Sequence, residues 1–223
     1  GVVPNATCEI AICREVLTNL LAACRELGIE TESCPRWQKL LDKLPDYVIN
    51  SDGALAEWAY GGLGDTYAHR HSSHLYCVWP SLEASPDRTP ELFKAAKVAV
   101  EKRLEAGMGT KTGHGYMHAS FIAARLKDPD LMWRMLRDYS SLPFVNSSFI
   151  TCHDPGPKIY NLDATFCLPA VLMEMLVFSE PGLIEVLPAM PSEKFRRGTL
   201  SGVLARGGIT VERLHWNLLL GHV

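Results

Sequence analysis

The stretch TCEIAICREVLTNLLAACREL, residues 7–27, indicates the fold class of this 223-residue chain. Its apolar side chains recur every three or four residues, which is the period of an α-helix with one buried face. They are Ile10, Cys13, Leu17, Leu20, Leu21, Cys24 and Leu27. Gly28 follows, and glycine ends helices readily because it accepts the left-handed conformation after the last turn. The stretch therefore predicts a long amphipathic helix and, with it, a mainly helical fold.

The helical period continues through most of the chain. Five further helices are predicted, at residues 35–44, 90–106, 116–126, 131–136 and 163–178. The last of these is apolar nearly all round, which predicts burial on most of its sides. The six helices form three consecutive pairs, and three pairs make an open arc of a helical toroid rather than a closed ring.

The final part of the chain changes to a period of two. Residues 183–187 form a short strand candidate. Residues 200–206 and 209–216 flank Gly207-Gly208, a tight glycine turn that predicts a β-hairpin. We therefore expect residues 1–181 to belong to a helical domain and residues 182–223 to begin a β-domain.

Composition excludes several classes of partner. The 22 Lys and Arg residues against 25 Asp and Glu give a formal net charge of −3, and no basic face predicts binding of nucleic acid. No apolar run reaches the ~18 residues of a membrane span, so no membrane partner is expected. The sequence leaves the oligomeric state open and predicts no cofactor.

The seven cysteines are scattered and contain no C-x-x-C pair. An odd number of scattered cysteines is typical of buried, reduced thiols in a cytosolic protein, and the alternative is a disulfide framework or a zinc-thiolate site. The N-terminus also lacks a signal peptide and looks like the interior of a longer chain. These features favour a cytoplasmic protein over a secreted one.

The stretch His69-Arg70-His71-Ser72-Ser73-His74-Leu75-Tyr76 stands out between the second and third helices. It lies in a long region without a helical period, and such long connections are usually functional or disordered. Because the region is rich in aromatic residues, we expect an ordered loop. Its histidines can hydrogen-bond the loop to itself, bind a metal, or form a ligand rim with the guanidinium of Arg70.

Two carboxylates are candidates for chemistry. Asp163 stands where the N-cap of the sixth helix is expected, a role compatible with activating water. Glu57 precedes Trp58, and burial against an aromatic ring can make a carboxyl group a general acid. The alternative for Glu57 is an ion pair with a nearby arginine. Two carboxylates, a histidine-arginine rim and several aromatic residues match the needs of glycoside hydrolysis.

At these residues the chain resembles glycoside hydrolase family 95, the inverting α-L-fucosidases. The histidine-rich loop of that family is close to identical with residues 69–76. Residues 53–58 are similar to its Gly-x-Leu-Gln-Glu-Trp motif, and residues 162–166 resemble its Ile-Asp-Gly-Asn-Phe-Gly motif. Residues 187–191 and 202–208 resemble the passage into its C-terminal β-domain.

The resemblance implies a fold and an activity. The chain would supply the latter half of an (α/α)6 barrel followed by the start of a C-terminal β-sandwich. The substrate would be an oligosaccharide or glycoconjugate with a terminal α-L-fucosyl residue, hydrolysed with inversion and without a metal. Ala164 and Thr165 replace the Gly and Asn of the family motif, and His114-Gly115 stands where Trp-Ser is usual. A closely related α-L-galactosyl substrate is therefore also expected.

The resemblance also implies roles for individual residues. Asp163 matches the aspartate that activates the hydrolytic water through asparagine side chains, which are expected upstream of Gly1. Arg70 and His71 match residues that bind the fucose. Glu57 becomes a supporting residue or an alternative acid, because the general acid of the family is expected upstream of Gly1. The residues expected near the pocket are His69, His74 and His114.

Two other functions compete with this interpretation. One is a metal-dependent hydrolase that uses His69, His71 and His74 as ligands. The other is a carbohydrate-binding protein without catalysis.

Overall fold

The structure is a computed structural model that describes residues 4–107, 112–141, 144–145, 151–156 and 159–221. The described residues contain six α-helices, a 3-10 helix at Ser73–Cys77 and four strands. The helices are α1 Thr7–Leu27, α2 Cys34–Leu41, α3 Pro90–Glu105, α4 Gly113–Arg125, α5 Pro129–Ser141 and α6 Leu162–Leu176. The strands are β1 Val177–Glu180, β2 Leu183–Val186, β3 Arg197–Ala205 and β4 Ile209–Asn217. The mainly helical class predicted from the sequence is confirmed.

The chain divides into two compact units, residues 1–108 and 109–223. This division lies inside the predicted helical domain. The predicted boundary between residues 181 and 182 stays a prediction. None of the helices in the described ranges is long and apolar enough to cross a membrane.

In the first unit, α1 packs against α2 and against the 3-10 helix. Helix α1 ends as predicted, because Gly28 adopts the left-handed conformation with φ 67°. The buried Thr7 hydroxyl donates to the Ala56 carbonyl at 2.7 Å, and the Leu55 amide donates to the Ala95 carbonyl of α3 at 3.0 Å. The long region between α2 and α3 is therefore an ordered loop anchored to both α1 and α3, as its aromatic content predicts.

In the second unit, α4 packs against both α5 and α6. Its core combines aliphatic and sulfur side chains, such as Ile122 and Met135, with a cluster of three aromatic rings. The rings of Tyr139 and Phe144 stack at 5.7 Å between centroids, and Tyr116 meets Phe144 edge-on at 5.4 Å. Aromatic pairs at these separations stabilise a core beyond their burial alone.

Helix α6 differs from its prediction in extent and in burial. It ends at Leu176 rather than Phe178, because residues 177–180 form β1 and pair antiparallel with β2. The predicted burial on most sides is wrong for the described residues. One face of α6 packs in the unit through Ala164, Val171 and Met175, whereas Phe166 is 69% exposed. Apolar composition predicted burial, but the described part of this unit covers only one face.

The predicted hairpin is confirmed. Strands β3 and β4 pair antiparallel from Arg197 opposite Asn217 to Ala205 opposite Ile209. Gly207 and Gly208 form the turn with φ 87° and 71°, values that favour glycine. Arg206 connects the hairpin to β1, since its backbone amide donates to the Ser179 hydroxyl at 2.9 Å and its guanidinium to the Ser179 carbonyl at 2.7 Å.

Two matched substitutions test where the second unit is packed. We expect Phe144→Ala to lower the free energy of unfolding by about 3–5 kcal/mol, because it leaves a cavity in the aromatic cluster. Phe166→Ala, on the exposed face of α6, is expected to change it by about 0.5 kcal/mol or less. Urea unfolding of the 223-residue chain measures both. Equal losses of unfolding free energy in the two variants would contradict the burial of Phe144 and the exposure of Phe166.

Candidate active site

A pocket of roughly 220 Å³ opens in the first unit beside the histidine-rich loop. This is below the ~300–1,000 Å³ typical of sites for drug-sized ligands, so its size suits a single sugar ring. Its lining combines an aromatic side chain with several groups that can donate or accept hydrogen bonds. The lining residues are Ala6, Cys8, Glu57, Trp58, His69, His71, Ser73, His74 and Arg103.

Short contacts inside the loop set the orientation of Arg70 and His71. The Nε of Arg70 donates to Nε2 of His71 at 3.0 Å. The His71 amide donates in turn to Nδ1 of His69 at 3.2 Å, and the two imidazole rings lie 5.4 Å apart. His71 lines the pocket, whereas the exposed Arg70 lies directly next to it in the chain. Of the two predicted sugar-binding residues, His71 therefore lines the pocket and Arg70 is its hydrogen-bonded neighbour, and the loop also hydrogen-bonds to itself.

His74 differs from the other two histidines of the loop because it is buried. It lies in the 3-10 helix with 4% of its surface exposed. Burial lowers the pKa of His74 from 6.5 to about 4, an effect that the nearby Asp65 carboxylate partly offsets. The ring is therefore neutral at physiological pH and belongs to the packed base of the loop.

The three histidines do not form a metal-binding set. Among the residues that the structure describes, no group of three or more His, Cys, Asp or Glu side chains has the arrangement needed to hold a metal ion. His69 and His71 instead contact each other and the backbone of the loop. The geometry does not favour the metal-dependent hydrolase that the sequence left open.

Glu57 forms an ion pair with Arg103 of α3. Of the two alternatives for this carboxylate, the pairing with an arginine is the one observed. A general acid must present a proton to the leaving oxygen, and a carboxylate held by a guanidinium does not. Glu57 nevertheless lines the pocket next to Trp58, so the predicted supporting position fits.

Asp163 lies in the first turn of α6 but is not its N-cap. That position belongs to Asn161, whose side-chain oxygen accepts from the Ala164 amide at 3.0 Å. The predicted capping role of Asp163 is therefore wrong, because the helix begins at Leu162, one residue earlier than expected. Asp163 is left exposed at the positive end of the helix dipole, where its carboxylate can reach water.

A short strap of backbone joins the starts of α4 and α6. The Gly113 amide donates to the His153 carbonyl at 2.8 Å, and the Asn161 amide donates to the Thr151 carbonyl at 3.0 Å. A Cβ at Gly113 would lie 2.5 Å from the Cys152 carbonyl oxygen, so only glycine allows this approach. The contact places His114, the residue after Gly113, at the same end of the unit as Asp163.

Sequence reasoning missed two residues that shape the candidate site. Arg103 looks like an ordinary basic residue in the last turn of a helix, and its only signal is its position on the apolar side of α3. Asn161 precedes the expected helix start by two residues. Asparagine is a preferred N-cap, so Asn161 could have been chosen over Asp163.

The predicted site residues lie in different units. Glu57, His69, Arg70, His71 and His74 belong to the first, and His114 and Asp163 belong to the second. That they form one site stays a prediction. Taken separately, the first unit offers a sugar-sized pocket lined by histidines, by the aromatic ring of Trp58 and by the guanidinium of Arg103. The second offers an exposed carboxylate at a helix start. Such features are typical of a helical enzyme domain that acts on carbohydrates.

Comparison with known proteins agrees with that class. Residues 2–176 match the family model described as the glycosyl hydrolase family 95 catalytic domain. Because the match covers most of the chain, the chain belongs to glycoside hydrolase family 95.

One curated relative extends the comparison beyond the helices. The chain is 32% identical over 218 residues to alpha-L-fucosidase 2 of Arabidopsis thaliana. The alignment covers 93% of this chain but 25% of the relative, so the chain spans about a quarter of the length of that protein.

The assignment of the α6 N-cap can be tested through stability. Asn161→Ala should lower the free energy of unfolding by about 1 kcal/mol, because the Ala164 amide loses its acceptor. Asp163→Asn should change it by about 0.5 kcal/mol or less. Asn161→Asp keeps a capping oxygen and serves as the control. A larger loss for Asp163→Asn than for Asn161→Ala, in urea unfolding, would restore Asp163 as the cap.

The buried His74 predicts a loss of stability in acid. Its folded-state pKa of about 4 lies below the unfolded value, so protons bind the unfolded chain more tightly. Above pH 6.5 the free energy of unfolding is not reduced by protonation of His74. As the pH falls toward 4, the free energy of unfolding decreases by up to about 3 kcal/mol. Unfolding measured from pH 7 to pH 4 should show this slope, and His74→Gln should reduce it.

Equal pH dependence in the wild type and in His74→Gln would contradict a buried neutral His74.

Proposed function

We propose that the protein containing this chain is an exo-glycosidase that removes terminal α-L-fucosyl residues from oligosaccharides or glycoconjugates. A closely related α-L-galactosyl residue is the second expected substrate. The observation that carries the proposal is the sugar-sized pocket lined by His71, whose ring accepts a hydrogen bond from Arg70, in a chain of glycoside hydrolase family 95. The name of the Arabidopsis relative supports the choice of fucose.

In the proposed mechanism the sugar binds at the loop. Arg70 offers a fixed fork of donors to ring hydroxyls, and the imidazole of His71 accepts from Arg70 and faces the pocket. Trp58 provides an apolar surface in the same pocket, and sugar faces stack on such rings. These side chains bind and orient the terminal residue without making or breaking bonds.

Asp163 acts on the water side. Its exposed position lets the carboxylate take part in removing a proton from the water that attacks the anomeric carbon. A second carboxylic acid protonates the leaving oxygen from the opposite side of the sugar. For an inverting reaction these two groups lie roughly 6.5–9.5 Å apart, which leaves room for the water.

The acid is proposed to lie in the part of the protein that precedes this chain. Glu57 is engaged by Arg103, which argues against it as the acid. The chain spans a quarter of its relative, which supports its interpretation as one part of a larger catalytic domain, the latter half of an (α/α)6 barrel. The exposed apolar face of α6 supports the same idea, since missing helices would cover it.

A cytoplasmic location is retained as a proposal. All seven cysteines are free, which is the state expected in a reducing compartment.

Proton NMR of 2′-fucosyllactose hydrolysis tests the proposed reaction. The 223-residue chain should be inactive, and the protein extended toward its N-terminus should release β-fucose first. Release of α-fucose first would contradict inversion. Turnover by the short chain alone would place the acid within it and make Glu57 the candidate. Sugar affinity without turnover in the extended protein would identify a carbohydrate-binding protein instead.

Asp163→Asn tests the role of the carboxylate in the extended protein. We expect kcat to fall by about 10²–10⁴, because the group that accepts the proton of water is lost. Asp138→Asn on α5 makes the same substitution at a surface ion pair with Arg137 and should leave kcat unchanged. Unchanged kcat in Asp163→Asn would remove Asp163 from the mechanism.

A further inference from the structure

Arg103 is the buried charged residue of the pocket. It lies in the last turn of α3 with 1% of its surface exposed, and it lines the pocket together with His69 and His71. Burial lowers the pKa of Arg103 to about 10, so the guanidinium is still charged at neutral pH. A buried charge is costly in free energy unless it is paired and hydrogen-bonded. The partners of Arg103 are therefore the groups that this side chain holds in place.

The guanidinium makes two directed contacts with the loop. It forms an ion pair with Glu57, and its Nη1 donates to the backbone carbonyl of His69 at 2.7 Å. The Glu57 amide donates in addition to the Asp65 carboxylate at 2.5 Å, which fixes the intervening part of the loop. One side chain on a regular helix therefore joins the beginning and the end of the segment from residue 57 to residue 69.

The second contact lies next to the residues that bind sugar in the proposed function. His69 precedes Arg70, and its ring nitrogen accepts from the His71 amide. Movement of the His69 carbonyl would therefore move both Arg70 and His71. Because Arg70 and His71 bind the terminal sugar in the proposed function, such a movement would weaken the binding of substrate.

We propose that Arg103 is a positioning residue for the sugar-binding loop: its contacts to Glu57 and to the His69 carbonyl hold Arg70 and His71 where the fucosyl residue binds. The identity of the substrate in this role rests on the proposed function, whereas the contacts of Arg103 do not depend on it. Arg103 acts through the loop and is not a catalytic residue.

The planar fork of arginine is what the geometry requires. A guanidinium directs separate N–H groups toward a carboxylate and a carbonyl at the same time, whereas the ammonium of lysine is a single point charge on a flexible chain. Arg103→Lys keeps the charge and most of the volume but should lose one of the two contacts. It is therefore a sharper test than a substitution by an apolar residue, which would leave Glu57 without its buried partner.

The matched control is Arg125→Lys. Arg125 of α4 is also buried, at 6% exposure, and is paired with Glu174, but it belongs to the second unit. Both substitutions should reduce stability. Only Arg103→Lys should loosen the loop and weaken binding of substrate.

The experiment uses the full-length protein that carries this chain. With 2′-fucosyllactose we expect Arg103→Lys to raise KM about tenfold or more, while kcat stays within about threefold. Hydrogen–deuterium exchange of residues 66–74 should become faster in Arg103→Lys and stay as in the wild type in Arg125→Lys. A merely structural role would change stability in both variants without the change in KM.

Each result decides the proposal. Unchanged KM in Arg103→Lys overturns it, whether or not the loop exchanges faster. An equal rise of KM in Arg125→Lys also overturns it. If the wild-type protein does not hydrolyse the substrate, the proposed function fails separately. In that case the affinity for L-fucose, measured by tryptophan fluorescence, tests the positioning role. Equal affinity in the wild type and in Arg103→Lys overturns that role.

Discussion

The first unit depends on one buried guanidinium. Arg103 stands at the end of a regular helix and holds two distant points of a loop that has little regular structure of its own. Loops that carry binding residues need such an anchor, because their backbone is not fixed by a ladder of hydrogen bonds. The ion pair with Glu57 balances the charge of the guanidinium. The hydrogen bond to the His69 carbonyl holds this part of the loop, and the histidine that follows, in a fixed position relative to α3.

In the second unit, backbone contacts rather than a buried side chain hold the candidate site residues in place. The starts of α4 and α6 are held together by the strap that runs through Thr151 and His153, and the absence of a side chain at Gly113 lets them approach. Asn161 caps α6 and leaves Asp163 exposed in the first turn. The carboxylate is therefore placed by helix geometry rather than by a flexible loop, which suits the role in orienting water that we propose for Asp163.

Helical periodicity and turn chemistry predicted most of the fold. The apolar spacing of α1 and the glycine after it fixed both ends of that helix, and Gly207-Gly208 located the hairpin. The errors concern features that depend on tertiary contacts. Residues 177–178 are apolar enough for a helix but pair with β2, and Phe166 is exposed because the described residues offer nothing to cover it. The histidine loop identified the pocket, but its anchor lies in a helix far along the chain. No local pattern predicts that Arg103 reaches Glu57.

The proposed function assigns sugar binding to the loop at residues 66–76 and activation of water to Asp163 at the start of α6. Hydrogen–deuterium exchange of the full-length protein, with and without saturating L-fucose, tests it most directly. The account predicts slower exchange in both residues 66–76 and residues 161–166 when the sugar is bound, and unchanged exchange in the hairpin of β3 and β4. Protection of the loop alone, or of neither segment, would contradict these two assignments.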